Sequence, residues 1–210
     1  MRSGAAGDRL GAEALTRVRL GLLGGTFDPP HVGHLLAASD AYEALALDRL
    51  LFVPAAVQPF KSGQVEATPA QRLRMLQLMV GDDPRFAVDP IEIDRSGLSY
   101  TVDTLAALAE REPGARRFLL IGEDLAGQIG SWREPRRIAE LAEIVVLVRG
   151  DGGGAGGTPA APALPITRIA TRRVDVSSTE VRARVRAGRP IRGFVTDAVA
   201  DFIRSAGLYR

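Results

Sequence analysis

Val18-Arg19-Leu20-Gly21-Leu22-Leu23-Gly24-Gly25-Thr26-Phe27-Asp28-Pro29-Pro30-His31-Val32-Gly33-His34 holds the change of periodicity that decides the fold. Val18 to Leu23 is a short apolar run with Arg19 inside it, and it stops at Gly24-Gly25. That reads as a buried strand entering a glycine turn. After Pro29-Pro30, residues 31–46 set Leu35, Leu36, Ala38, Tyr42 and Leu45 at helical spacing. Proline near the first turn is a helix-start signal.

The same alternation continues outward. Leu50 to Val53 reads as the next strand, stopped by Pro54, and residues 55–67 as a polar loop carrying Pro59 and Lys61. Thr68-Pro69 opens a helix through Val80, with Thr as N-cap and Pro at the first position. Strands are expected over Phe86–Ile93, Phe118–Ile121, Ile144–Val148 and Ile166–Ala170. Helices are expected over Thr101–Glu110, Arg136–Glu143, 178–187 and 196–206. Strands alternating with helices predict an α/β domain with a mainly parallel sheet, closed by C-terminal helices. In such sheets ligands sit beyond the carboxyl ends of the strands, and the unusual residues cluster in those loops.

The 210 residues suffice for one domain, expected over 17–210 behind a flexible tail at 1–16. Hydrophobic residues at 46% and charged residues at 25% describe a globular chain. No apolar stretch is long enough to span a membrane, and the tail has no apolar leader segment. The expectation is therefore a cytoplasmic protein. With no cysteine, disulfides, thiolate metal sites and cysteine nucleophiles are excluded. The net charge is only +2. The pI of about 9.5 arises because almost nothing titrates between the carboxylates and the arginines, so it is no nucleic-acid footprint. Lys61 is the sole lysine. The glycine-rich run 150–157 lacks a following Gly-Lys-Ser/Thr, so it reads as a surface loop and not a P-loop.

Two clusters carry chemistry. In the first, both histidines of the chain, His31 and His34, stand three residues apart on one face of a helix turn. Gly24 and Gly25 let backbone N–H groups approach a ligand closely, and the following helix N-terminus offers free N–H donors. Together these form a phosphate site with two imidazole donors. Two histidines also suit zinc, for which no third ligand of the right kind lies nearby. In the second cluster, Ser177 or Ser178 caps a helix near the C-terminus, and Arg182 lies one turn inward beyond Thr179. Hydroxyls, free N–H groups and a guanidinium then converge as a polyphosphate requires.

These residues resemble the nucleotidyltransferase superfamily that carries HxGH and a C-terminal SxTxxR, here Ser177, Thr179 and Arg182. Three further stretches resemble bacterial nicotinate-nucleotide adenylyltransferases in particular. They are Ser99-Tyr100-Thr101-Val102-Asp103-Thr104-Leu105, Ile121-Gly122-Glu123-Asp124 followed by Trp132, and Val53-Pro54 continuing to Pro59-Phe60-Lys61. The resemblance spans roughly residues 18–206 and implies a Rossmann-like sheet flanked by helices. Two positions depart from the family pattern. Phe60 stands where His is usual, and Arg133 follows Trp132 where an aromatic or His is frequent.

The resemblance implies adenylyl transfer from ATP to nicotinate mononucleotide, giving nicotinate adenine dinucleotide and pyrophosphate, in NAD biosynthesis. It implies that Gly24, Gly25, Thr26 and Phe27 form a loop shared by both nucleotides. His31 and His34 would contact ATP phosphates, with Ser178, Thr179 and Arg182 on the β- and γ-phosphates and Lys61 adding positive charge. Asp124 would help hold a ribose, and Trp132 would stack on the pyridine ring. Thr101, Val102, Asp103 and Thr104 would meet the nicotinate carboxylate through N–H groups at a helix start. Mg²⁺ would accompany ATP, held by phosphates and water and not by protein side chains. ATP and nicotinate mononucleotide are the expected partners. No nucleic acid or membrane is expected, and a homo-oligomer is allowed. Rival readings are the same chemistry on nicotinamide mononucleotide or phosphopantetheine, and a non-catalytic nucleotide sensor.

Overall fold

The computed structural model of the chain describes residues 17–57, 65–150 and 164–210. The expected tail at 1–16, the 58–64 segment with Phe60 and Lys61, and the glycine run beyond Gly150 lie outside the described residues. The described residues form one parallel sheet of β1 (Arg19–Gly25), β2 (Arg49–Pro54), β3 (Phe86–Val88), β4 (Arg116–Gly122), β5 (Glu143–Arg149) and β6 (Ile166–Thr171). The order is β3-β2-β1-β4-β5-β6. Helices connect the strands: α1 (Val32–Ala44), α2 (Pro69–Val80), α3 (Ile91–Arg95), α4 (Thr101–Arg111), α5 (Glu123–Ala126) and α6 (Pro135–Leu141), with α7 (Ser178–Arg186) and α8 (Asp197–Ser205) following the sheet.

The central strands β1, β2, β4 and β5 are largely apolar because both faces are covered. In β4, Phe118 and Leu120 point to one core layer, with Ala38 and Ala41 of α1, Met75 and Leu76 of α2, Val181 of α7 and Ile203 of α8. Leu119 and Ile121 point to the opposite layer, with Leu105 and Leu108 of α4 and Ile138 of α6. The α/β class and mainly parallel sheet expected from the alternation are the observed ones.

Two expected elements are corrected. The strand predicted over Phe86–Ile93 stops at Val88, and a short helix follows from Ile91. Pro90 has no N–H for a ladder. The buried Asp89 carboxylate instead accepts the Ile91 N–H at 3.0 Å and turns the chain. The helix expected over Arg136–Glu143 runs Pro135–Leu141, and Glu143 already belongs to β5.

The strand order reverses between β1 and β4. Their diverging loops open a crevice at the carboxyl edge, which is where an open α/β sheet binds its ligand. Around that crevice the chain is braced by Asp28. This carboxyl group is 3% exposed and accepts the Glu66 N–H at 2.8 Å, the Ala67 N–H at 3.1 Å and the Tyr209 hydroxyl at 2.7 Å. Burial, then the Asp28 carboxylate, holds the Tyr209 hydroxyl far above its ordinary pKa. Tyr209→Phe leaves a buried acceptor one donor short and is expected to lower stability by about 1–2 kcal/mol. Urea unfolding of the two proteins measures it, and an unchanged midpoint would show that the hydroxyl contributes nothing.

Candidate active site

The first wall of the crevice is the β1–α1 loop. Gly25 is needed there because a Cβ would lie 3.0 Å from the Phe27 ring, which folds back beneath it. The His31 and His34 rings stack with centroids 3.7 Å apart, and Phe27 meets His34 edge-on at 5.0 Å. Gly33 makes room for the stack, since a Cβ there would sit 3.0 Å from His31 Nδ1. The His31 backbone N–H donates to His34 Nδ1 at 3.1 Å. An accepting Nδ1 fixes the neutral tautomer, so Nε2 of His34 carries the proton and is a donor. His34 lines the crevice. His31 is buried, and its Nδ1 has no hydrogen-bond partner among the described residues.

Both imidazoles are held neutral. Burial, then the Arg149 guanidinium at the end of β5, lowers the His31 pKa to about 4. His34 falls well below its usual range through loss of solvent, then the His31 ring, then Arg149. Water-poor surroundings and a nearby cation disfavour an imidazolium and leave the region short of negative charge.

The second wall is the start of α7. Ser177 is the N-cap and accepts the Glu180 N–H at 3.1 Å. Ser178 donates to the Pro29 carbonyl at 2.8 Å, and Arg182 Nη1 donates to the Asp28 carbonyl at 2.7 Å. The second cluster is thereby pinned to the first. Arg182 also pairs with Glu66 at 2.9 Å, and its Nη2 lies 3.5 Å from the Thr179 hydroxyl.

The third wall comes from β4 and α4. The crevice holds about 480 Å³. Of the residues singled out from sequence, Gly24, Gly25, Thr26, Phe27, His34, Thr101, Asp124, Trp132 and Ser178 line it. Asp124 stands exposed in the first turn of α5. Trp132 packs on the core and also faces the crevice. Thr101 opens α4 behind Tyr100, so its N–H and that of Val102 precede the first intrahelical bonds. The Val102 side chain is in the core. The Thr104 hydroxyl is buried and donates to Glu92 Oε1 at 2.7 Å, and Asp103 faces Arg133 at 3.6 Å. From these three, only backbone groups are left to meet a ligand at the α4 start. Thr179 and Arg182 flank the lined crevice and do not face its interior.

Sequence reasoning missed Glu92, Arg149, Glu66 and Arg72. Glu92 lines the crevice, and burial raises its pKa against hydrogen bonds from Thr104 and Ser99. Arg72 is 1% exposed and donates to the carbonyls of Ala67, Thr26 and Ala56. An arginine inside the apolar pattern of a helix was the available signal for Arg72. The other three look like solvated charges in one dimension.

A parallel sheet with this reversal point, a glycine loop leading into stacked histidines and a helix start pinned to that loop define a nucleotide-handling α/β class. A family described as cytidylyltransferase-like matches residues 22–184. A probable nicotinate-nucleotide adenylyltransferase of Gemmatimonas aurantiaca is 47% identical over 92% of this chain and 93% of its own. One of Thermus thermophilus is 44% identical over 92% of this chain and 100% of its own. The chain belongs to the nicotinate-nucleotide adenylyltransferase family. In fold it is similar to the Plasmodium falciparum nicotinic acid mononucleotide adenylyltransferase complexed with NaAD, with a TM-score of 0.72, 18% identity and coverage of 91% of this chain and 97% of that one.

The neutral histidines set a pH dependence. Between pH 6.5 and about 4 the unfolded chain protonates His31 and the folded chain does not. Stability is therefore lost as pH falls through that window, by up to about 3 kcal/mol from this residue. His31→Gln should reduce the loss and leave the part that buried His34 contributes. Thermal melts of both proteins from pH 7 to 4 measure the difference, and parallel curves would contradict a neutral buried His31.

Proposed function

We propose that this protein transfers the adenylyl group of ATP to nicotinate mononucleotide, forming nicotinate adenine dinucleotide and releasing pyrophosphate, as a cytoplasmic step of NAD biosynthesis. The observation that carries the reading is the pinning of the α7 start to the β1–α1 loop through Ser178–Pro29 and Arg182–Asp28. It brings a guanidinium, a helix N-terminus and two imidazoles to one edge of a cleft whose other end is aromatic.

The acceptor's 5′-phosphate oxygen forms a bond to the α-phosphorus of ATP while the α–β bridging bond breaks, and the electron pair leaves with pyrophosphate. The acceptor phosphate is already anionic, so no group has to remove a proton. Catalysis is then positioning and charge stabilisation. His34 Nε2–H donates to the α-phosphate as charge builds there, and His31 supports it from beneath with an unpaired Nδ1. Gly24, Gly25, Thr26 and Phe27 shape the loop beneath both nucleotides. Ser178, Thr179 and Arg182 hold the departing phosphates, and Lys61, outside the described residues, is carried over as a further positive charge. Asp124 and Trp132 line the cleft, and in this reading Asp124 takes a ribose hydroxyl and Trp132 the pyridine face. Mg²⁺ would arrive on the phosphates of ATP. No cluster of three His, Asp or Glu side chains fit to hold a metal occurs among the described residues, so no residue is assigned to it.

Pyrophosphate release with Mg-ATP tests the reading against three acceptors: nicotinate mononucleotide, nicotinamide mononucleotide and phosphopantetheine. A clear preference for the first is expected. Preference for another acceptor would overturn the substrate, and no release with any would overturn the activity. His34→Ala should lower kcat by about 10² or more, the scale for one preorganised donor. Arg182→Ala should raise the KM for ATP about tenfold or more, as loss of a charge-assisted contact does. Normal ATP kinetics in either variant would remove that residue from the site.

A further inference from the structure

Tyr100, Thr101, Trp132 and Arg133, from the start of α4 and the turn after β4, line the crevice together with Glu92 and Ser99. Arg133 is the one lysine or arginine among the described residues that line the crevice, against the acids Glu92 and Asp124. Its guanidinium carbon stacks 4.8 Å from the centre of the Tyr100 ring. Its nearest carboxylates, Asp103 and Glu134, are both 3.6 Å away, beyond hydrogen-bond reach. The Tyr100 ring packs against the fork, both acids stay at ion-pair distance, and the N–H donors make no hydrogen bond among the described residues. Tyr100 is also the N-cap of α4, so the stacked fork lies at the start of that helix.

A guanidinium held over a ring, with N–H donors not yet hydrogen-bonded, can match a planar carboxylate in two-point fashion. A carboxamide is a poorer partner. It carries no charge and presents its own N–H₂ to a group that has only donors.

We propose that Arg133 is a specificity-determining residue, whose guanidinium receives the carboxylate of the acceptor's pyridine ring and so favours the acid over the amide. The proposal rests on the adenylyl-transfer reading above and deepens it. The 5′-phosphate and the ring are common to nicotinate and nicotinamide mononucleotides, and only the carboxylate differs. The ratio of the two kcat/KM values therefore isolates this contact.

The test measures kcat/KM for both acceptors with Mg-ATP in the wild type, Arg133→Gln and Arg133→Lys, at low and high salt. In Arg133→Gln the nicotinate-to-nicotinamide ratio should fall about tenfold, through a higher KM for the nicotinate acceptor. Arg133→Lys should restore part of it, since the charge returns without the planar fork. The wild-type ratio should shrink with added salt, because the contact is half-exposed and screened, and the Arg133→Gln ratio should stay flat. An unchanged ratio overturns the assignment. Equal weakening of both acceptors does so too, because it would mean a grip on the phosphate or a structural role. If the wild type shows no transfer to nicotinate mononucleotide, the adenylyl-transfer reading itself has failed.

Discussion

Asp28 is where distant parts of the chain are held together. An ionised carboxyl removed from water is costly unless donors surround it. Here the donors come from the segment before α2 and from the C-terminal Tyr209. Its own carbonyl takes the Arg182 guanidinium. Pairs 38, 39, 154 and 181 residues apart in sequence thus share one residue. On the other side, Arg72 ties the carbonyls of Thr26, Ala56 and Ala67, and the Asp28 charge supports its protonated state against the cost of burial. Disturbing either charge loosens the β1–α1 loop and the α7 start together. A helix that follows the whole sheet in sequence is in this way held against the loop of its first strand.

The electrostatics of the cleft follow from what it leaves uncharged. The stacked imidazoles are neutral because they lack water and stand near Arg149. A neutral donor can approach a phosphate oxygen without first breaking an ion pair. An anion at the His34 edge would favour positive charge nearby, and His31, whose Nδ1 is unpaired among the described residues, is the ring with a free site for a proton. A site built of permanently paired cations would have no such reserve.

Much of this was legible in one dimension. Apolar runs closed by glycine mark strands covered on both faces, and the proline and threonine starts mark helices, because these signals are local. The strand expected through Ile93 failed where a local signal was overridden. Ile91 and Ile93 read as strand residues, but Pro90 and the Asp89 carboxylate turn the chain. His31, His34, Ser178 and Arg182 were legible as two clusters. That Arg182 is tied to Asp28 and Glu66 was not, since nothing local announces a contact 154 residues long. Glu92 was illegible for a related reason, since it looks like an ordinary solvated charge until the fold brings its loop to the cleft. Arg133 was legible only as a departure from the family pattern after Trp132, and its contact with Tyr100 was not.

The cleft is divided by topology. The groups that suit phosphates come from the β1–α1 loop and α7. The aromatic end comes from the start of α4 and the turn after β4. Displacement at phosphorus needs the acceptor and the leaving group on opposite sides of the reacting atom. Two loops diverging from adjacent parallel strands provide two sides without any moving part. The ends are braced by different bonds, the Asp28 contacts on the phosphate side and the Glu92–Thr104 bond at the start of α4, and they meet at Ala56, which takes Arg72 on its carbonyl and gives its N–H to Ser99. Acceptor choice can therefore change through residues of the α4 start and the β4 turn while the phosphate groups keep their geometry. In the proposed reaction, selectivity for the ring and catalysis at phosphorus are separable properties of one fold.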